Sequence, residues 1–333
     1  MILNPAIIAL IASSLLVAGY ALYASLFGMQ VIRRWDIRSG SELQLRLERR
    51  TCLISTVAAH LFGLSLFSTF LFIYSGDHLH GLFVGAMCAA GTLNVNAYGY
   101  PLLVVKIISF CLCGLWLIVN HADGQGFDYP LIREKYRFLA PIAALLVLDT
   151  VLTLNYFGLL RADVITSCCG TLFSAGTAAI AGEIAALPSY GAKVVFFTGM
   201  VLLLRSGIHF RVTGRGARFF GWISAGMLAF GLAAVIAFVS VHYYELPTHH
   251  CPFCLLQSDY HFIGYPLYLS LFGGGIAGAG VGLIDRHRRQ PSLAAAVPRM
   301  QRTLCLWSMI GFGVFAAIAA YPLLFSDFRL EGY

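Results

Sequence analysis

Charge is what this chain has least of. Only 11% of its 333 residues are Asp, Glu, Lys or Arg, against roughly a quarter in soluble domains. With 59% hydrophobic residues, that scarcity excludes an ordinary water-soluble globular protein. Several signatures are missing too: no glycine-rich nucleotide loop, no HExxH zinc motif, and no serine nucleophile elbow in a suitable context. The opening residues, Met1-Ile2-Leu3-Asn4-Pro5, lack the basic segment of a cleaved secretion signal, so the first apolar run is expected to be retained.

What the chain has instead is apolar length. Eight runs of about 20 residues recur, each able to cross a hydrocarbon layer about 30 Å thick. Their approximate bounds are 4–30, 51–74, 100–120, 138–160, 191–210, 219–244, 262–284 and 303–325. The pattern predicts an all-α fold, a polytopic integral membrane protein that forms a single transmembrane domain over residues 1–333. Two further stretches sit between runs, the first of them too short to cross. They are 81–93, with Cys88, and part of 161–190, with Cys168 and Cys169, and both are expected to be re-entrant or half-buried. Residues 41–50 suit a short surface helix or a solvated connector equally.

The net charge of +7 does not point to nucleic acid. Seventeen of the 22 Lys and Arg residues fall in four alternate loops, after the first, third, fifth and seventh runs. Basic residues concentrate in cytoplasmic loops of membrane proteins, so this asymmetry predicts both termini on the extracytoplasmic side. A bacterial inner membrane is the expected setting, with an oxidising compartment beyond the outer face.

On that face the topology gathers sulfur and imidazole. Cys88, Cys168, Cys169, Cys251 and Cys254 all map there, with His78, His80, His249, His250 and His261. Two segments that precede inward runs also rhyme, Tyr98-Gly99-Tyr100-Pro101-Leu102 and Ile263-Gly264-Tyr265-Pro266-Leu267, which hints weakly at a duplicated unit. The densest stretch is Thr248-His249-His250-Cys251-Pro252-Phe253-Cys254-Leu255-Leu256-Gln257. Cysteines two residues apart exchange electrons as a dithiol or grip a soft metal, and a neighbouring histidine adds a nitrogen ligand or favours the thiolate. Leu255 stands where a c-type haem site needs histidine, and His60, His209 and His242 do not pair at one depth, so haem is not expected. Cys52, Cys111, Cys113 and Cys305 lie within runs or near the inner face and are expected to pack as small apolar groups.

The Cys251-Pro252-Phe253-Cys254 motif at the mouth of a span looks like the active-site dithiols of the DsbB and VKOR types of membrane thiol oxidoreductase, which pass electrons to quinone. The likeness covers about ten residues, and the eight-run frame departs from the four-span core of those families. It implies a thiol-disulfide oxidoreductase or electron relay, with Cys251 and Cys254 exchanging electrons with an extracytoplasmic thiol protein. Cys88, Cys168 and Cys169 would relay or resolve, and a quinone would be the electron partner. The vicinal pair before Gly170 resembles that of MerT-type mercury transporters over three or four residues. The alternative is therefore binding or transport of a thiophilic ion by Cys251 and Cys254 with His249, His250, His78 or His80. A third expectation is a subunit of a larger membrane complex, its outer loops braced by disulfides.

Ionisable residues inside apolar runs are functional candidates by default. Asp149, Lys106 and Arg205 are such residues, and Asp149 with Lys106 can neutralise each other as a pair. The row Gly274, Gly278, Gly282 marks a face where another helix can approach closely.

Overall fold

Asn4 starts the first helix: its Oδ1 accepts the Ala6 N–H at 2.9 Å, and Pro5 occupies the first turn, where a missing N–H costs nothing. The structure is a computed structural model that describes residues 3–166 and 180–328. In chain order the helices are α1 Pro5–Arg34, α2 Glu42–His78, α3 Ala89–Leu93, α4 Gly99–Asp123, α5 Ile132–Gly158, α6 Ile180–Ala185, α7 Ser189–Thr213, α8 Ala217–Ala234, α9 Ser240–Tyr244, α10 Gly264–Ile284 and α11 Ala296–Phe325. A π-helical turn, Val235–Val239, joins α8 to α9. No strand occurs among the described residues. Among the described residues, eight helical segments are long and apolar enough to cross a membrane.

The helix boundaries differ from expectation most at α2. Residues 42–50 are neither a separate surface helix nor a connector but the first turns of one 37-residue helix. Ser41 Oγ accepts the Gln44 N–H at 3.3 Å, and no proline or glycine interrupts the chain before Gly63, so nothing ends the helix. In α5 the expected start near 138 moves back to Ile132. The stretch expected at 81–93 divides into a 3-10 turn, His80–Leu82, and the five-residue α3, whose residues are all buried.

The chain packs into two compact units. The first comprises Met1–Ser75, Asn96–Arg161 and Arg286–Met300, with α1, α4, α5 and most of α2. Its core is close-packed: Val17, Ala18, Ala21 and Ala24 give α1 a small-residue face, and Phe62 meets Trp116 edge to face at 4.9 Å. A Cβ at Gly28 would fall 2.6 Å from Tyr136 Cδ1, so only glycine admits that ring against α1. Two buried ion pairs lie in this unit. Lys106 Nζ is 3.1 Å from Asp149 Oδ2, and Lys135 Nζ is 2.6 Å from Asp123 Oδ2. The sequence groups Lys135 with the basic loop residues, yet it is buried. Asp123 turns back on the 124–131 loop to meet it, also accepting the Leu131 N–H at 2.9 Å.

The second unit comprises Gly76–Val95, Ala162–Asp285 and Gln301–Tyr333. Phe196, Phe238 and Phe315 join α7, the π turn and α11 through edge-on ring contacts at 5.5 and 5.7 Å. The expected glycine row on α10 is a packing seam. A Cβ at Gly274 would lie 3.1 Å from the Phe312 backbone nitrogen, one at Gly278 would strike Ser224 and Ser308, and one at Gly282 would lie 3.1 Å from Gly221 Cα. The row therefore lets α8 and α11 approach α10 backbone to backbone.

Candidate metal centre

The site lies within the second unit and is made by connections rather than by long helices. Cys88 precedes α3 in an extended conformation, and its carbonyl accepts the Gly91 N–H at 3.0 Å, starting the short helix. Thr166 pins this loop at two points. Its N–H donates to Val84 O at 2.9 Å, and its hydroxyl donates to Gly91 O at 2.9 Å.

Cys251 and Cys254 come from the connection between α9 and α10. Glu245 at one end, and His261 and Phe262 at the other, have φ of 54°, 52° and 55°. Left-handed backbone is unfavourable for side chains of this kind and persists only where the surroundings impose it. Those surroundings include two tyrosines: the Tyr244 hydroxyl donates to Cys251 O at 2.6 Å, and the Tyr268 hydroxyl donates to Pro252 O at 2.8 Å. Cys254 opens a 3-10 turn, and its carbonyl accepts the Gln257 N–H at 3.1 Å. Gly264 lets α10 start against this turn, since a Cβ there would be 2.9 Å from the Leu255 carbonyl carbon.

A polar bracket joins the two loops. Gln257 Nε2 donates to Asp77 Oδ1 at 3.1 Å and to Met87 O at 2.8 Å, while Asp77 Oδ1 also accepts the Ala89 N–H at 3.3 Å. The bracket thus ties the residues on both sides of Cys88 to the turn that carries Cys254.

The result is a sulfur cluster. Cys88 Sγ and Cys251 Sγ are 3.6 Å apart, and the sulfurs of Cys88, Cys251 and Cys254 all lie within 4.8 Å of one another. A disulfide would need about 2.05 Å, so the Cys88 and Cys251 sulfurs are in contact without being bonded. Cys88 and Cys251 are 0% exposed and Cys254 is 7% exposed, so the cluster is closed to large partners. His249 Nε2 stands 3.4 Å from Cys254 Sγ, with its ring edge-on to Tyr244 at 4.6 Å. Burial lowers the His249 pKa from its ordinary value, a shift that the Cys88 thiol opposes and His250 reinforces. The neutral ring keeps a lone pair for a metal. Tyr260, packed on Tyr244 at 4.7 Å, has its pKa raised, chiefly by burial.

The other residues singled out in the sequence fall elsewhere. His250 Nδ1 is 2.9 Å from Ile236 O in the π turn, and His80 Nδ1 lies against the Asp77 carbonyl oxygen. His78 is the last residue of α2. None of these three belongs to the three-sulfur group. Cys168 and Cys169 lie outside the described residues. Lys106 and Asp149 meet in the first unit, and Arg205 is on an exposed face of α7. Cys113 is in the first core, and Cys305 Sγ is 3.6 Å from Gly207 O. Sequence reading missed Asp77, Gln257, Tyr244 and Tyr268 as supports. Asp77 and Gln257 each flank a cysteine loop, which is a faint signal; the tyrosines carry none.

Comparison with protein-family models, with curated proteins and with solved structures finds no match for the chain, so the likeness to membrane thiol oxidoreductases rests on the cysteine motif alone.

Proposed function

We propose that this is an integral membrane protein that holds one thiophilic metal ion between Cys88, Cys251 and Cys254, with His249 as the fourth donor. The observation that carries this reading is the mutual spacing of the three sulfurs, within 4.8 Å of one another. In a tetrahedral site with metal–sulfur bonds of about 2.3 Å, neighbouring sulfurs are about 3.8 Å apart. Cys88 and Cys251 are already at 3.6 Å, so a central ion needs little rearrangement there. Thiolates and imidazole select soft and borderline ions, here Zn2+ or Cu+, over Mg2+ or Ca2+. Burial of all three cysteines suits a closed site that retains its ion. The eight apolar helices support residence in a membrane, and the loop asymmetry of Lys and Arg supports an extracytoplasmic address for the cysteines, with both chain ends on that side.

Elemental analysis of purified protein tests the proposal, after reconstitution under reducing conditions with Zn2+ in one arm and Cu+ in the other. About one ion per chain is expected in the wild type, far less in Cys88→Ala and Cys251→Ser, with the bound ion shielding the thiols from alkylation. Substoichiometric metal in both arms, with full thiol reactivity, refutes it.

A second reading, thiol–disulfide exchange with quinone as the electron partner, draws on the same contact, since Cys88 and Cys251 are close enough to bond after oxidation. Cysteine mapping separates the two: a metal site keeps its thiols reduced until a chelator is added, whereas an exchanging dithiol cycles without metal.

A further inference from the structure

The first unit contains a recess of different chemistry, lined by Ser13 and Ser14 of α1, Ser65 and Ser68 of α2, Lys106 of α4 and Asp149 of α5. It is small, on the scale of one water molecule or one alkali ion. Asp149 is 6% exposed, and only one of its carboxylate oxygens is used: Oδ2 takes the Lys106 ammonium at 3.1 Å, while the buried Oδ1 has no hydrogen-bond partner. A buried carboxylate oxygen without a partner calls for a ligand. The serines supply further oxygen. The hydroxyls of Ser13 and Ser14 donate to Leu10 O and Ile11 O at 3.0 and 2.9 Å, which commits their protons and leaves lone pairs as acceptors. Four helices therefore present a carboxylate and hydroxyl oxygens, with a lysine ammonium as the resident cation.

We propose that this recess binds one small monovalent cation of the alkali class in exchange for the proton of Lys106. Hard oxygen donors select a hard ion, and a single carboxylate balances a single positive charge. Adding Na+ to the intact Lys106–Asp149 pair would leave a net buried charge, which an apolar interior disfavours. The balanced step is loss of one proton from the Lys106 ammonium to solvent, giving a neutral amine, as one Na+ takes its place on the Asp149 carboxylate. No electron moves and the site's charge is unchanged. The titratable groups facing Asp149 are Lys106 and the Cys113 thiol, both from α4, while α1 and α2 contribute hydroxyls.

The test is thermal unfolding of the full-length protein in detergent, titrated with NaCl against choline chloride at constant ionic strength and at several pH values. Wild type is expected to be stabilised by Na+ alone, and the concentration needed is expected to fall about tenfold per pH unit, because one proton leaves for each Na+ bound. Lys106→Gln should keep the Na+ response and lose its pH dependence. The double variant D149N/K106Q removes both charges together, so it should fold and lose the Na+ response entirely. Equal unfolding of wild type in both salts, a Na+ response surviving in D149N/K106Q, or unchanged pH dependence in Lys106→Gln each overturns the proposal.

Discussion

Two of the buried polar clusters among the described residues, the sulfur group and the Lys106–Asp149 recess, are built in opposite ways. The sulfur cluster is assembled from connections and depends on cross-braces: Thr166 on the Cys88 loop, Tyr244 and Tyr268 on the carbonyls around Cys251, and the Asp77–Gln257 bracket. The Lys106–Asp149 recess is assembled from four helices, and its groups project from regular helical turns. Irregular backbone leaves its own polar groups to be satisfied, so a loop-made site needs dedicated partners. A helix satisfies its backbone internally, and its site residues need only project from the right turns. The clusters differ in charge as well. Uncoordinated thiols can stay neutral, whereas the ion pair places opposite charges in an apolar interior, so removing one partner has very different consequences in the two places.

Four experiments sharpen or break this comparison. The largest effect is expected from Cys251→Ser: metal content should fall from about one ion per chain to near background, while Asp149→Asn leaves it unchanged, as read by elemental analysis. Loss of metal in both variants would mean that the clusters do not behave separately. Next is Asp149→Asn, which strands a buried ammonium and should cost about 3–5 kcal/mol of stability in denaturant unfolding, with most of it restored in D149N/K106Q. A cost below about 1 kcal/mol would show that water already reaches the pair. Third, Gln257→Ala should weaken metal affinity about 10–100-fold in a competition titration, because it releases Met87 and Asp77 without touching a ligand. Unchanged affinity would show that the bracket is dispensable. The smallest effect is expected from Tyr268→Phe, which removes one hydrogen bond to Pro252 O and should cost about 1 kcal/mol with full metal content retained.

Much of the frame was legible along the chain because helices of apolar residues declare themselves by length alone. Each of the eight apolar runs lies on a helix, with α2 the clearest difference, since nothing local separates residues 42–50 from the remainder of that helix. Of the site, Cys251 and Cys254 were legible from spacing, and Cys88 from the alternation of runs and loops. Its support was not. Asp77 and Gln257 are 180 positions apart, and no local pattern couples a carboxylate to an amide at that distance. His250 is a contrasting case: it neighbours Cys251 in sequence, yet its Nδ1 turns to Ile236 O in the π turn. Lys135 reads as a loop charge in one dimension, and only the fold brings Asp123, twelve residues earlier, back upon it.

Taken in order, the residues of this chain favour long apolar helices and place most Lys and Arg in alternate loops, because the length of an apolar run and the position of a charge are properties of the sequence itself. Which cysteines touch, which histidine faces sulfur, and which carboxylate oxygen goes unpaired are decided by tertiary structure. Each depends on side chains from remote segments arriving within a few ångströms, at angles set by the packing of whole helices.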